Sequence, residues 1–194
     1  MPTHQTSLLQ YFTRSRTKRT KDSRWTPNPT QLREALQPFI TRAKQSKKTP
    51  LVADHEPYVK IKLKDTDSMG TGVFATKSIP KGTLVLEYLG ERIDNRHDAE
   101  ERYDQYPEDQ SGYMYFVELG PHFVAIDATE AVPEYGFGRY VNHSHLHPNI
   151  ISKAFRHEKV LHLFFLSSRD IVQGEQLFVD YNDINSQLPW MKNT

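Results

Sequence analysis

Cysteine is missing from the chain altogether. Its absence removes three chemistries together: a disulfide framework, a thiolate zinc site and a cysteine nucleophile. It also fits an intracellular protein. No apolar run approaches the roughly 20 residues that a membrane-spanning helix needs, and the N-terminus lacks the apolar stretch of a secretory signal. A membrane partner is therefore not expected. The glycine fingerprint of a dinucleotide fold is absent, as is a phosphate loop with its lysine. A nucleoside cofactor would have to be held in some other way. No internal repeat is visible either.

Net charge is nearly absent, at +1, yet the average hides a polarity. Residues 1–48 hold eleven Lys/Arg against Asp22 and Glu34, a balance of +9, whereas residues 49–194 hold fourteen against twenty-two Asp/Glu, a balance of −8. A basic arm ahead of an acidic body suits partners of opposite sign. Arg14, Arg16, Lys18, Arg19 and Lys21 fit a nuclear signal or a non-specific DNA contact through phosphates. The acidic body favours a cationic substrate.

Residues 1–28 lack apolar periodicity and are rich in Thr, Ser, Arg and Lys, so a disordered basic tail is expected there. Pro29 sits near a helix start, and Leu32, Leu36, Phe39, Ile40 and Ala43 then recur at helical spacing. They predict a flanking helix within residues 29–50, bent or divided at Pro38. From Tyr58 onward short β-branched and aromatic runs predict strands at Tyr58–Leu63, Val73–Thr76, Thr83–Leu89, Tyr113–Leu119, His122–Asp127 and Gln176–Tyr181. Asn149–Ile171 reads as a long hairpin turning near His157-Glu158-Lys159, and a polar helix is expected from Arg96 to about Tyr106. The class is α+β, mainly β, with small sheets across residues 51–185 and a short tail at 186–194.

Four segments carry the chemistry. Gly70-Thr71-Gly72-Val73-Phe74-Ala75 is a Gly-x-Gly turn into a strand, where two glycines allow close backbone approach to a ligand. Arg139-Tyr140-Val141-Asn142-His143-Ser144 is more specific. It contains a glycosylation sequence, which a chain without a secretory signal would not use. His143, His145 and His147 alternate as metal ligands on a strand would, but the adjoining Pro148 opposes a regular strand and no metal is expected. Gly174-Glu175-Gln176-Leu177-Phe178-Val179-Asp180-Tyr181 and Tyr113-Met114-Tyr115-Phe116 each present tyrosines at strand ends, a position that packing alone also explains.

Together, in this order, the four segments resemble the SET-domain protein lysine methyltransferases over about residues 55–194. The resemblance implies a fold of several small sheets with a knotted-type closure and S-adenosyl-L-methionine as cofactor. It implies Tyr181 as the catalytic tyrosine and Tyr113 as an amine-orienting one. Gly70, Thr71, Gly72, Arg139, Asn142 and His143 would hold the cofactor, and Ala125, Asp127 and Val179 would line the lysine channel. The chemistry needs such a site. A free lysine amine has a pKa of about 10.4 and carries no lone pair while protonated. A dry channel disfavours the charged form, and alignment of the neutral amine supplies most of the acceleration.

Within the family the chain looks like the compact group that monomethylates lysine-20 of histone H4. Val73–Lys77, Tyr113-Met114-Tyr115, Asp127-Ala128-Thr129, Ser168-Arg169-Asp170-Ile171 and Pro189-Trp190 carry that likeness. It implies Trp190 in the C-terminal tail as a cover for the adenine, a histone tail or nucleosome as substrate, and a nuclear, chromatin location. One position departs. Where the group has tyrosine two residues before the catalytic one, this chain has Val179, which is expected to relax the product limit towards dimethylation. The tail adds Gln5-Thr6-Ser7-Leu8-Leu9-Gln10-Tyr11-Phe12, which resembles the box that binds the sliding clamp PCNA. Leu8, Tyr11 and Phe12 fall on one helical turn beside Gln5. A non-catalytic adaptor that binds both a lysine-containing tail and the clamp is the alternative from another class.

Overall fold

A computed structural model describes residues 25–45, 57–107 and 111–181. Asn28 opens the first helix. Its side chain accepts from the Gln31 N–H at 2.9 Å while the Gln31 side chain accepts from the Asn28 N–H at 3.0 Å, a reciprocal cap. Pro29 occupies the first helical position, where its missing N–H costs nothing. Helix α1 (Pro29–Ala35) stops at Leu36, and α2 (Gln37–Gln45) starts afresh with Pro38 in its first turn. The flanking segment is thus two helices, divided where a proline inside one continuous helix would lose a hydrogen bond and clash with the preceding turn.

Three antiparallel or mixed sheets follow. Strands β1 (Ile61–Thr66) and β2 (Gly70–Ala75) form a hairpin with Thr66 opposite Gly70. Strand β3 (Leu84–Glu87) leads to β4 (Glu91–Ile93), helix α3 (Arg96–Gln105), β5 (Met114–Leu119) and β6 (His122–Asp127). Then come β7 (Asn142–His143), the long hairpin β8 (Ile150–His157) and β9 (Val160–Ser167), and the short β10 (Phe178–Val179). The sheet orders are β1-β2, β3-β9-β8-β10-β7 and β4-β6-β5. This is the mainly β, multi-sheet α+β architecture that the sequence led us to expect.

Period-two alternation decides which side chains meet. Along β9, Phe164 and Leu166 face Leu36, Phe39, Leu84 and Ile151, so the two flanking helices cover that side of the five-stranded sheet. Leu161, Leu163 and Phe165 face the main core instead. Along β5, Tyr115 and Val117 enter the main core while Met114 and Phe116 pack with Ala99 of α3 and Ala125 of β6.

The closing segment joins the sheets. The Gly174 N–H donates to the Ala75 carbonyl at 2.8 Å, the Ala75 N–H donates to the Glu175 carbonyl at 2.9 Å, and the Leu177 N–H donates to the Val73 carbonyl at 2.8 Å. Two residues on, the same segment becomes β10, which lies between β7 and β8 and runs parallel to both. Asn149, wholly buried, fastens it from below. Its amide donates to the Gln176 carbonyl at 2.8 Å and to Glu175 Oε1 at 3.0 Å, and its side-chain oxygen accepts from the Phe178 N–H at 2.8 Å.

Candidate active site

The closing segment gathers the residues singled out from sequence. Pairing of β10 with β7 sets Phe178 opposite Asn142 and Val179 opposite His143. Beyond β10, the Tyr181 N–H donates to His143 Nδ1 at 3.1 Å, and the two rings lie 5.0 Å apart at 33°. Nδ1 is therefore an acceptor, which puts the proton of a neutral ring on Nε2. From the other side, the Asn142 amide donates to the Thr71 carbonyl at 3.4 Å. The Gly70 turn, the Asn142-His143 pair and Tyr181 thus converge.

Glycine has a separate reason at each position of that turn. Gly70 has φ +66°, the left-handed region that side chains rarely adopt, and nothing lies within 4 Å of where its Cβ would stand. At residue 72 a Cβ would lie 2.5 Å from Gln176 Nε2 and 3.1 Å from Asn142 Nδ2. The neighbours that forbid a side chain there are two carboxamides.

Next to the turn is a cluster of phenols. The Tyr181 hydroxyl donates to the Val141 carbonyl at 2.9 Å, and the Tyr88 hydroxyl donates to the Tyr113 carbonyl at 2.7 Å. Each proton is committed to a backbone oxygen, so each phenol oxygen presents lone pairs to anything that enters. Tyr115 bridges the two, with ring centroids 4.3 Å from Tyr88 and 6.2 Å from Tyr181. Burial pushes the Tyr181 phenol up, with the nearby Tyr113 hydroxyl adding to the shift. Burial also raises Tyr88 and Tyr115, each further opposed by the neighbouring Tyr181. These hydroxyls stay neutral throughout the physiological range. Val179 is fully buried in the same core, and Tyr181 packs against it.

Other expected site residues are placed differently. Arg139 donates to the Ala128 carbonyl at 2.9 Å and to the Thr129 carbonyl at 3.1 Å, and its guanidinium covers the Tyr113 ring at 4.6 Å. Its contacts hold the loop and Tyr113. Asp127 Oδ2 accepts from the Tyr106 hydroxyl at 2.6 Å and from Arg102 at 3.4 Å, while Oδ1 accepts from the Thr129 N–H at 3.0 Å. That carboxylate ties α3 to the end of β6. The Ala125 methyl packs under α3 with Ala99, Met114 and Phe116, on the opposite side of the sheet from Tyr115. His145 Nδ1 lies 3.1 Å from Asp180 Oδ2, and among the described residues no group of three His, Cys, Asp or Glu side chains is arranged to hold a metal. Trp190 and the segment with Gln5, Leu8, Tyr11 and Phe12 lie outside the described residues. Sequence reasoning missed Tyr88, Tyr115 and Gln176. Tyr88 follows Glu87 in a run that reads only as a buried strand, and its hydroxyl partner is 25 residues away.

Small mixed sheets, a late strand laid between earlier ones and a Gly-turn, Asn-His and Tyr convergence define a recognisable class. The SET-domain model matches residues 70–182, more than half of the chain, and the chain belongs to that family. The histone-lysine N-methyltransferase set-1 of Caenorhabditis elegans is 35% identical over 131 residues, covering 64% of this chain and 53% of that protein. The N-lysine methyltransferase KMT5A-B of Xenopus laevis is 36% identical over 130 residues, covering 64% and 38% respectively. A histone-lysine N-methyltransferase of Mycosarcoma maydis, named as H3 lysine-36 specific, is 32% identical over 125 residues, covering 64% and 12%. The chain therefore spans about half or less of these relatives' lengths. Among solved structures, CpSET8 from Cryptosporidium matches with a TM-score of 0.59 and 30% identity over 92% of both chains.

Proposed function

We propose that the chain is an S-adenosylmethionine-dependent protein-lysine N-methyltransferase of nuclear chromatin, with lysine-20 of histone H4 as its foremost target. The observation that carries this reading is the convergence of the Gly70 turn, Asn142-His143 and Tyr181 through one segment, Gly174 to Tyr181. The residues fit the cofactor. An open, left-handed turn at Gly70 stands beside two carboxamides that meet over Gly72, next to a buried phenol cluster. When bound, S-adenosylmethionine supplies the methyl group. Gly70, Thr71, Gly72, Asn142 and His143 would hold it, with Arg139 acting through the loop it braces and Trp190 as a cover.

The chain's own work is desolvation and alignment. A lysine amine entering the phenol cluster leaves water, which disfavours its ammonium form. The oxygens of Tyr181 and Tyr88, their protons already given to the Val141 and Tyr113 carbonyls, accept from the amine N–H groups and aim its lone pair. Because the phenols are held neutral by burial, Tyr181 orients the amine and does not serve as a base. Val179 in place of a phenol removes one polar contact from this cluster and supports dimethylation as well as monomethylation. The carboxylate excess of residues 49–194 favours approach of a basic histone tail.

Two further parts of the reading rest on sequence. The Gln5–Phe12 segment is a clamp-binding box for PCNA, and the basic arm that follows it supports a nuclear location and contact with DNA. A second target reading, another histone lysine, is favoured by the Mycosarcoma maydis relative, whose name specifies lysine-36 of H3. The test is incubation of the protein with nucleosomes and labelled cofactor, followed by mapping of the modified lysine. Label on H4 lysine-20 supports the foremost target, and label elsewhere selects the second. Tight cofactor binding with no methyl transfer to any histone would leave a non-catalytic adaptor.

A further inference from the structure

The Gln176 side chain has no part in the chemistry derived so far, yet its placement is costly. Its Nε2 is closed off from solvent and has no hydrogen-bond partner among the described residues. An amide nitrogen buried without an acceptor costs roughly 1–3 kcal/mol, and such groups in native proteins usually wait for a ligand or a water. The backbone around it is fixed. The Gln176 carbonyl accepts from the Asn149 amide at 2.8 Å, and the residue bridges Phe74 of β2. Side-chain direction is therefore set by the closing segment, and it runs to Gly72. There the Gln176 and Asn142 amide nitrogens approach the same point, at 2.5 Å and 3.1 Å from the position of an added Cβ. Residue 72 is glycine because these two groups need the room.

We infer that Gln176 is a cofactor-binding residue whose amide N–H groups, paired with those of Asn142, grip the carboxylate of the cofactor's methionine end. The proposal rests on the S-adenosylmethionine reading above and names the moiety held. Two converging NH2 groups are donors only at their nitrogens, so they match an acceptor. The α-ammonium of the same moiety needs acceptors and is a poor partner for this pair. A carboxylate accepts several N–H bonds at once, and charge-assisted bonds to it are roughly twice as strong as neutral ones.

The test measures affinity by calorimetry with two probes, S-adenosylmethionine and its decarboxylated analogue, on the full chain. Gln176→Ala should weaken S-adenosylmethionine by about 10-fold or more, the loss typical of a hydrogen bond to a charged group, and leave the decarboxylated analogue nearly unchanged. Gln176→Glu keeps the size of the side chain and should also lose S-adenosylmethionine selectively, since it sets a second carboxylate against the first. It covers the case in which the alanine variant does not fold. Equal losses for both probes, or unchanged S-adenosylmethionine affinity in either folded variant, would overturn the assignment. Failure of the unaltered protein to bind either probe would instead remove the cofactor reading itself, and the assignment with it.

Discussion

Tyr181 donates its only proton to the Val141 carbonyl and stands against the face of His143. Removing that oxygen leaves the ring packing intact and takes away an acceptor for the substrate amine. Tyr181→Phe should therefore lower turnover by about 10²-fold or more, while calorimetry shows cofactor affinity almost unaltered. Near-normal turnover would exclude the orienting role. Val179 tests the product limit at the same scale. Val179→Tyr puts a phenol back beside Tyr181 and should shift the product to a single methyl group, read by mass spectrometry under excess cofactor. Because residue 179 is fully buried, the larger ring should also cost stability, on the order of 1–3 kcal/mol for an overpacked core. If the unaltered protein already stops at one methyl, the channel does not open at Val179.

Among the elements, β10 is only two residues long and depends on others for its position. Asn149 supplies three of the bonds that hold the segment. Asn149→Ala should cost on the order of 3 kcal/mol in chemical denaturation, because two backbone groups of the segment lose their partner. Turnover should fall with it even where the protein remains folded, since Tyr181 is carried by the same stretch. The sequence made most elements legible. The β5–β6 and β8–β9 hairpins lie where β-branched runs and turn residues put them, and Pro38 marks the division of the flanking helices. Strand β4 left no signal, because three residues with mostly exposed side chains carry no periodicity. The placement of β7 beside β10 is set by pairing across 36 residues and cannot be read locally. The site follows the same rule. Tyr181 and Asn142 were visible through motifs, whereas Gln176 acquires its meaning only from Gly72, a residue more than a hundred positions earlier. Arg139 looked like a ligand contact because its neighbours in sequence are, but folding turns it to the carbonyls of Ala128 and Thr129.

For the molecule as a whole, the three buried phenols have a consequence in pH. Tyr88, Tyr115 and Tyr181 all ionise less readily in the fold than in the unfolded chain, where tyrosine titrates near 10. Their folded values are raised, so the unfolded chain releases protons first as pH climbs. Stability should be fully present below about pH 10 and decline above it, by roughly 1.4 kcal/mol per unit of pH for each such group. A thermal or denaturant midpoint flat from pH 7 to 11 would contradict this. Turnover should instead rise with pH towards the ionisation of the substrate amine, with no falling limb from Tyr181 below pH 10. The late insertion of β10 also bears on biosynthesis. Everything that β10 joins is translated before it, so an emerging polypeptide can assemble its hairpins and flanking helices while the catalytic centre does not yet exist. A nascent or truncated product ending before Gly174 would be inert by construction, and activity would begin only when the last threads of the sheet are laid in.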